Sequence, residues 1–347
     1  MMDRDRIIDA AAALRELGLT PVEISPVAPE TVKIGWRRFR VTAARPSMGT
    51  LVSVMALSPS QGRAEEAVGQ AFEEIERLVA ILSRHDTSSP LSYLNHQGSI
   101  AGSPGELGHV VQRALHYHRM SGGSFDITIK PLLDLFEAAS TDSGMAEPTA
   151  DDLRSALMRT GVGELTLEAD TISFGREGMG ITLDGIAKGY IVDMAAEVLR
   201  RHRIRDFLIN AGGDIRTGGR RDDGRPWTIA VQNPAKRGEY PDIVTMTDGA
   251  VATSGSYEIH FDPEMRYHHI VDAGSGLSPG LKSSVSVTAP TALAADALAT
   301  ALFVMEEGRG LGLMDSLPLC DSLIISREGS MSKSTGWSGK RPDNSGG

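Results

Sequence analysis

The side chains best placed to do chemistry are Asp296 and Thr300, four residues apart in the alanine- and leucine-rich run 289–303. Ala and Leu favour a helix, and Pro290 is tolerated in its first turn. A spacing of four puts the carboxylate and the hydroxyl on one helical face. The run is apolar nearly all round, which predicts burial, and a buried carboxylate needs a partner or a cation. Oxygen donors of this type suit a hard ion such as Mg²⁺. The same pair also fits an Asp bonded to a neighbouring loop and a Thr bonded back to its own helix. The helix alone leaves both readings open.

Several polar clusters lie elsewhere in the chain. Thr182-Leu183-Asp184-Gly185-Ile186-Ala187-Lys188-Gly189-Tyr190 sets an acid, a lysine and two glycines at a strand-to-helix junction. Backbone N–H groups at such a junction receive phosphate, and a lysine adds a point charge; a tight turn with a solvated lysine fits equally. Asn210-Ala211-Gly212-Gly213-Asp214 and Ser121-Gly122-Gly123-Ser124-Phe125-Asp126 are further glycine turns, each compatible with ligand approach or with a simple Asx turn. Thr253-Ser254-Gly255 precedes His268-His269-Ile270-Val271-Asp272. Adjacent residues on a strand face opposite ways, so only one of these histidines points into a given site, where it can act as a base. H-E-x-x-H and C-x-x-C are absent from the sequence, which leaves zinc peptidases without motif support.

These residues need a large scaffold, and 347 residues at 41% hydrophobic and 23% charged provide one. A net charge of −10 argues against nucleic-acid binding, which draws on basic surface. A single cysteine, Cys320, excludes an internal disulfide framework. No apolar run approaches the roughly 18 residues of a spanning helix. Met1 to Leu17 lacks the basic start and unbroken apolar core of an export signal. The expected location is therefore cytoplasmic, or periplasmic if an export signal has been removed.

Periodicity predicts a short helix over 3–18 and strands over 37–42 and 49–57. Helices follow over 63–83, 106–120 and 132–138, and then a helix–turn–strand unit over 150–174. Strand 180–183 should feed helix 189–201, with further strands at 207–209, 244–246, 269–271 and 284–288. The tail from Ser330, rich in Ser, Gly and Lys, reads as disordered. The class is mixed α and β, with helices covering sheet.

Seven of these segments together resemble the ApbE family of FAD:protein FMN transferases. They are Ser47-Met48-Gly49-Thr50, Gly122-Gly123-Ser124-Phe125-Asp126, Leu183 to Tyr190, Asn210 to Asp214, Thr253-Ser254-Gly255, His269-Ile270-Val271-Asp272 and Ala295-Asp296-Ala297-Leu298-Ala299-Thr300. They occur in the family's order over residues 45–326.

The resemblance implies an α+β fold, with mixed sheets flanked by helices around a central FAD cleft. It divides the chain into an N-terminal extension (1–40), a transferase domain (41–329) and a disordered tail (330–347). It implies Mg²⁺-dependent transfer of the FMN moiety of FAD to a Thr or Ser hydroxyl of an acceptor flavoprotein, with release of AMP. The acceptor would carry a segment resembling D-x-x-[ST]-G-A-T. Asp296, Thr300 and the main-chain carbonyl of Gly185 would hold the metal. Met48, His85, Ser124, Phe125, Asp126, Asp184, Lys188 and Ile270 would contact the flavin nucleotide. His269 is the expected base for the acceptor hydroxyl, and Asp296 acts in catalysis through its metal. Hydrolysis of FAD to FMN and AMP is the alternative enzyme reading, and a non-catalytic FAD carrier is the third.

Three positions depart from the family pattern. His85 stands where an aromatic, often Tyr, is common. Thr182 stands where the family has an Asp, with Asp184 two residues on. Ala273 replaces a Pro. Residues two apart in extended chain share a face, so Asp184 substitutes for the missing carboxylate unless the turn has already begun.

Overall fold

The computed structural model describes residues 27–141, 144–234, 240–262 and 266–339. Its centre is a nine-stranded sheet: β1 (Val27–Gly35), β2 (Arg38–Ser47), β3 (Thr50–Ser58), β4 (Asp206–Ala211), β5 (Asp214–Gly218), β6 (Gly249–Gly255), β7 (Lys282–Ala289), β8 (Asp321–Ser326) and β9 (Met331–Lys333). The spatial order is the chain order, and every pairing is antiparallel. The α+β class is therefore as expected.

The helices enter as excursions from this meander. Among the described residues six α-helices lie between β3 and β4: α1 (Gln61–Leu82), α2 (Pro90–Gln97), α3 (Gly105–Ser121), α4 (Lys130–Ala139), α5 (Ala150–Leu157) and α6 (Ala187–Arg201). Two lie between β7 and β8: α7 (Ala292–Val304) and α8 (Glu307–Ser316). No helix among the described residues is long and apolar enough to cross a membrane.

Side-chain alternation decides which face of the sheet the helices cover. Val52, Val54 and Ala56 of β3 and Val41 and Ala43 of β2 point to one face and are buried. They meet α1, whose Ala64, Ala67, Val68, Ala71, Phe72, Ile75, Leu78 and Leu82 make an apolar stripe at helical spacing. Next to α1 lies α6, and α7 lies between α6 and strands β6 and β7. Being covered on all sides, α7 buries ten of its thirteen residues. On the opposite face, a hairpin of strands Trp227–Val231 and Asp242–Met246 covers β8: Val231 and Val244 pack with Leu323, Ile325 and Trp337, while Ile324 points into the main core.

The structure departs from the sequence reading at several points. The extension expected over 1–40 gives way to sheet at Val27, because β1 pairs with β2 along its length. The tail expected to be disordered from 330 carries β9, and beyond it Trp337 is 8% exposed and bonds through Nε1 to Asp242 Oδ2 at 3.1 Å. Residues 180–183 join no strand. Their backbone is satisfied elsewhere: the Asn95 side chain accepts from Ile181 N at 2.8 Å and donates to Ile181 O at 2.9 Å, and Thr182 N donates to Ile127 O at 2.8 Å. Residues 269–271 likewise lie in a loop. Pro290 precedes helix α7, which Thr291 caps by accepting from Ala294 N at 3.2 Å. The helix expected over 3–18 lies outside the described residues.

Candidate active site

One cleft gathers ten of the twelve residues singled out from sequence: Ser124, Phe125, Asp126, Asp184, Gly185, Lys188, His269, Ile270, Asp296 and Thr300. Four segments deliver them. The turn after α3 brings Ser124 to Asp126, and the junction into α6 brings Asp184, Gly185 and Lys188. The β6–β7 loop brings His269 and Ile270, and α7 brings Asp296 and Thr300.

Asp296 is 5% exposed, and its Oδ2 accepts from Gly189 N at 3.0 Å. Its Oδ1 receives no hydrogen bond from a described residue. Burial, and then the nearby Asp214 carboxylate, push the Asp296 carboxyl well above the usual range, with Lys188 opposing. One turn on, Thr300 Oγ1 lies 3.2 Å from Ser254 Oγ at the end of β6. Gly185 stands against it: a Cβ built there would lie 2.9 Å from Thr300 Oγ1. Carboxylate, hydroxyl and main-chain carbonyl are all hard oxygen donors, and one carboxylate oxygen is unspent, so the set fits a small divalent cation. Among the described residues no group of three or more His, Cys, Asp or Glu side chains is arranged to hold a metal. Hydroxyl and carbonyl oxygens would therefore have to complete the shell.

Lys188 supplies the positive charge. Its Nζ lies 3.4 Å from Asp214 Oδ2, and that carboxylate, 1% exposed and with no hydrogen bond to either oxygen, holds the ammonium above its ordinary pKa. Asp184 also lines the cleft, where the turn has begun and its N–H donates to Thr182 Oγ1 at 3.2 Å. Both side chains nevertheless border the cleft. Desolvation works against the Asp184 anion, but Arg84, with Nε 2.8 Å from Asp184 Oδ2, keeps its carboxyl below the usual range. Arg84 is itself buried and bonds Glu137 at 2.8 Å.

The two histidines divide as strand logic predicts, although the segment is a loop. His268 is fully buried, edge-on to Phe303, and burial lowers its pKa to about 4. His269 borders the cleft; its Nδ1 lies 3.1 Å from Ile259 O, and burial holds its pKa below the usual 6.5. The loop is seated by Tyr267 and Val271, which pack on α4 with Leu132, Leu133 and Phe136.

Asp126 has a structural task as well: Oδ1 accepts from Thr128 N at 2.7 Å and from Thr128 Oγ1 at 2.6 Å. Two expected contacts stand apart from the cleft wall. Met48, at φ 53°, makes the β2–β3 turn with Gly49 and packs on the core. His85 is exposed, though near enough to Asp184 to help keep it ionised. Sequence reasoning assigned no role to Thr253, Ser254 or Glu258, which also line the cleft. The first two lay inside a quoted motif; Glu258 carried no signal.

The ApbE family model matches residues 48–324. The FAD:protein FMN transferase of Vibrio cholerae is 31% identical over 296 residues, covering 82% of this chain and 87% of that protein. The enzyme of the same name from Haemophilus influenzae is 29% identical over 295 residues, covering 80% and 84%. Among solved structures, flavin transferase ApbE from Vibrio cholerae superposes with a TM-score of 0.74 at 27% identity, covering 89% of this chain and 98% of that one. The ApbE protein of Thermotoga maritima gives 0.77 at 27% identity, covering 85% and 97%.

Proposed function

The chain belongs to the ApbE family, and from that membership we propose that it transfers the FMN moiety of FAD to an acceptor flavoprotein, releasing AMP. The observation that carries the reading is the convergence of Asp296, Thr300, Gly185, Lys188 and His269 on one cleft.

Asp296, Thr300 and the Gly185 carbonyl are the groups that would hold Mg²⁺. When bound, the ion supplies positive charge to the pyrophosphate oxygens. Lys188 adds a fixed cation on the same side, and Asp214 keeps it ionised. His269 handles the proton. A carbonyl only accepts, so in the contact with Ile259 O the Nδ1 carries the hydrogen and Nε2 keeps its lone pair. Nε2 takes the proton of a Thr or Ser hydroxyl as that oxygen bonds to the phosphorus of the FMN half. The bond from this phosphorus to the bridging oxygen breaks, and AMP departs with that oxygen. Arg84 fixes Asp184 at the wall, and the buried Phe125 and Ile270 give the lining an apolar part.

The test combines FAD, Mg²⁺ and an acceptor domain carrying a D-x-x-T-G-A-T segment, reading protein mass and released AMP. A mass gain equal to FMN, absent with Asp296→Ala, is the expected result. His269→Ala should lower transfer by about 10²–10⁴-fold while FAD still binds. AMP without a mass gain in any acceptor would replace transfer with hydrolysis, and FAD binding without AMP would leave a carrier.

A further inference from the structure

Two buried carboxylates tie α6 and α7 together in opposite directions. A helix begins with N–H groups that have no partner inside it. At the start of α7, Asp193 of α6 takes two of them: Oδ1 accepts from Ala292 N and Oδ2 from Leu293 N, both at 2.9 Å. Thr291 Oγ1 takes a third, Ala294 N, at 3.2 Å. At the start of α6 the relation is reversed, and Gly189 N donates to Asp296 Oδ2 of α7 at 3.0 Å. Each helix therefore caps the other, and the helix dipole favours a carboxylate at either N-terminus. Asp193 is held in turn by Arg216 of β5. Its Nε forms an ion pair with Asp193 Oδ1 at 3.2 Å, while Nη1 donates to Gly249 O at 2.6 Å and Thr217 O at 3.1 Å.

Asp193 borders no part of the cleft. We propose that it is a positioning residue for the cation ligands. Its grip on the first turn of α7 sets where Asp296 and Thr300 fall relative to Gly185 and Lys188 at the start of α6. Without that grip, α7 keeps at this crossing a single bond, from Gly189 N to the very carboxylate that must also serve the cation. The inference rests on the Mg²⁺-dependent transferase reading, and it deepens that reading by naming what holds the ligand set in register.

The experiment titrates Mn²⁺ alone into the full chain, reading the free-ion EPR signal, and compares wild type with Asp193→Asn, Asp193→Glu and Thr291→Ala. Asp193→Asn should weaken Mn²⁺ binding by about 10- to 100-fold, the usual cost of losing an outer-shell partner. FAD affinity of the metal-free chain should stay within about twofold of wild type, and Asp193→Glu, which keeps the carboxylate, should recover part of the loss. If Asp193→Asn does not fold, Asp193→Glu answers the question by a several-fold weaker Mn²⁺ site; Thr291→Ala leaves the buried pair intact and should bind Mn²⁺ within about twofold of wild type. Lowered thermal stability with unchanged Mn²⁺ affinity in the Asp193 variants would reduce Asp193 to a structural role and overturn the proposal. A wild-type chain that binds no Mn²⁺ would instead overturn the cation reading itself, and the inference with it.

Discussion

At the residue scale, the charge of His269 decides the pH response. Burial lowers its pKa, so the imidazole is neutral at pH 7 and available as a base. Acidification protonates it only below its ordinary value. The acid limb of kcat/KM should therefore have its midpoint below 6.5, and His269→Ala should abolish the limb. A midpoint above 7 would remove His269 from the role. The chemistry at this scale was partly legible in the sequence. Spacing alone put Asp296 and Thr300 on one helix face, and alternation foretold that only one of His268 and His269 would reach the site. Arg84 was not legible as the partner of Asp184, because 100 residues separate them and only the fold brings them to 2.8 Å. Glu258 had no motif around it, and its place on the wall follows from the loop that carries His269.

At the scale of elements, the crossing of α6 over α7 is the decisive contact. A Cβ built on Gly189 would lie 2.6 Å from the carbonyl carbon of Ala292 and 2.8 Å from Leu293 Cα. These are backbone atoms and cannot rotate aside. Alanine is the better helix former by about 1 kcal/mol, but overpacking costs about 1–3 kcal/mol, so Gly189→Ala should lose stability overall. Urea unfolding would show it; a variant as stable as wild type would mean that the helices separate freely. Strong periodicity made α1, α3 and α6 readable, although of the three only α1 has a side-chain cap at its start, Ser60. Residues 180–183 were misread as strand because extended, apolar chain looks the same whether a ladder or isolated partners, here the Asn95 side chain and the Ile127 carbonyl, satisfy its backbone.

At the scale of the whole molecule, the C-terminal segment belongs to the body. Lys333 Nζ reaches Asp242 Oδ2 at 2.6 Å, and Trp337 seals the hairpin against β8. A chain stopped after Gly329 should lose about 3–5 kcal/mol, the usual cost of removing a buried aromatic, and Trp337→Ala should reproduce most of it. An unchanged melting temperature would show that β9 contributes nothing. Composition misled here: Ser, Gly and Lys read as solvated tail, yet Ser334 is buried and accepts from Ser322 N at 2.9 Å. The chain-order meander has a further consequence, for synthesis. Strands β1 to β3 have one another to pair with once all three are made, but β3 finds its other neighbour only when β4 emerges, some 150 residues later. At about 5–20 residues synthesised per second that is a wait of about 8–30 s. Throughout it, the inner face of Val52, Val54 and Ala56 ends in an open strand edge, so the nascent chain has a timed exposure to mispairing that the finished protein has lost.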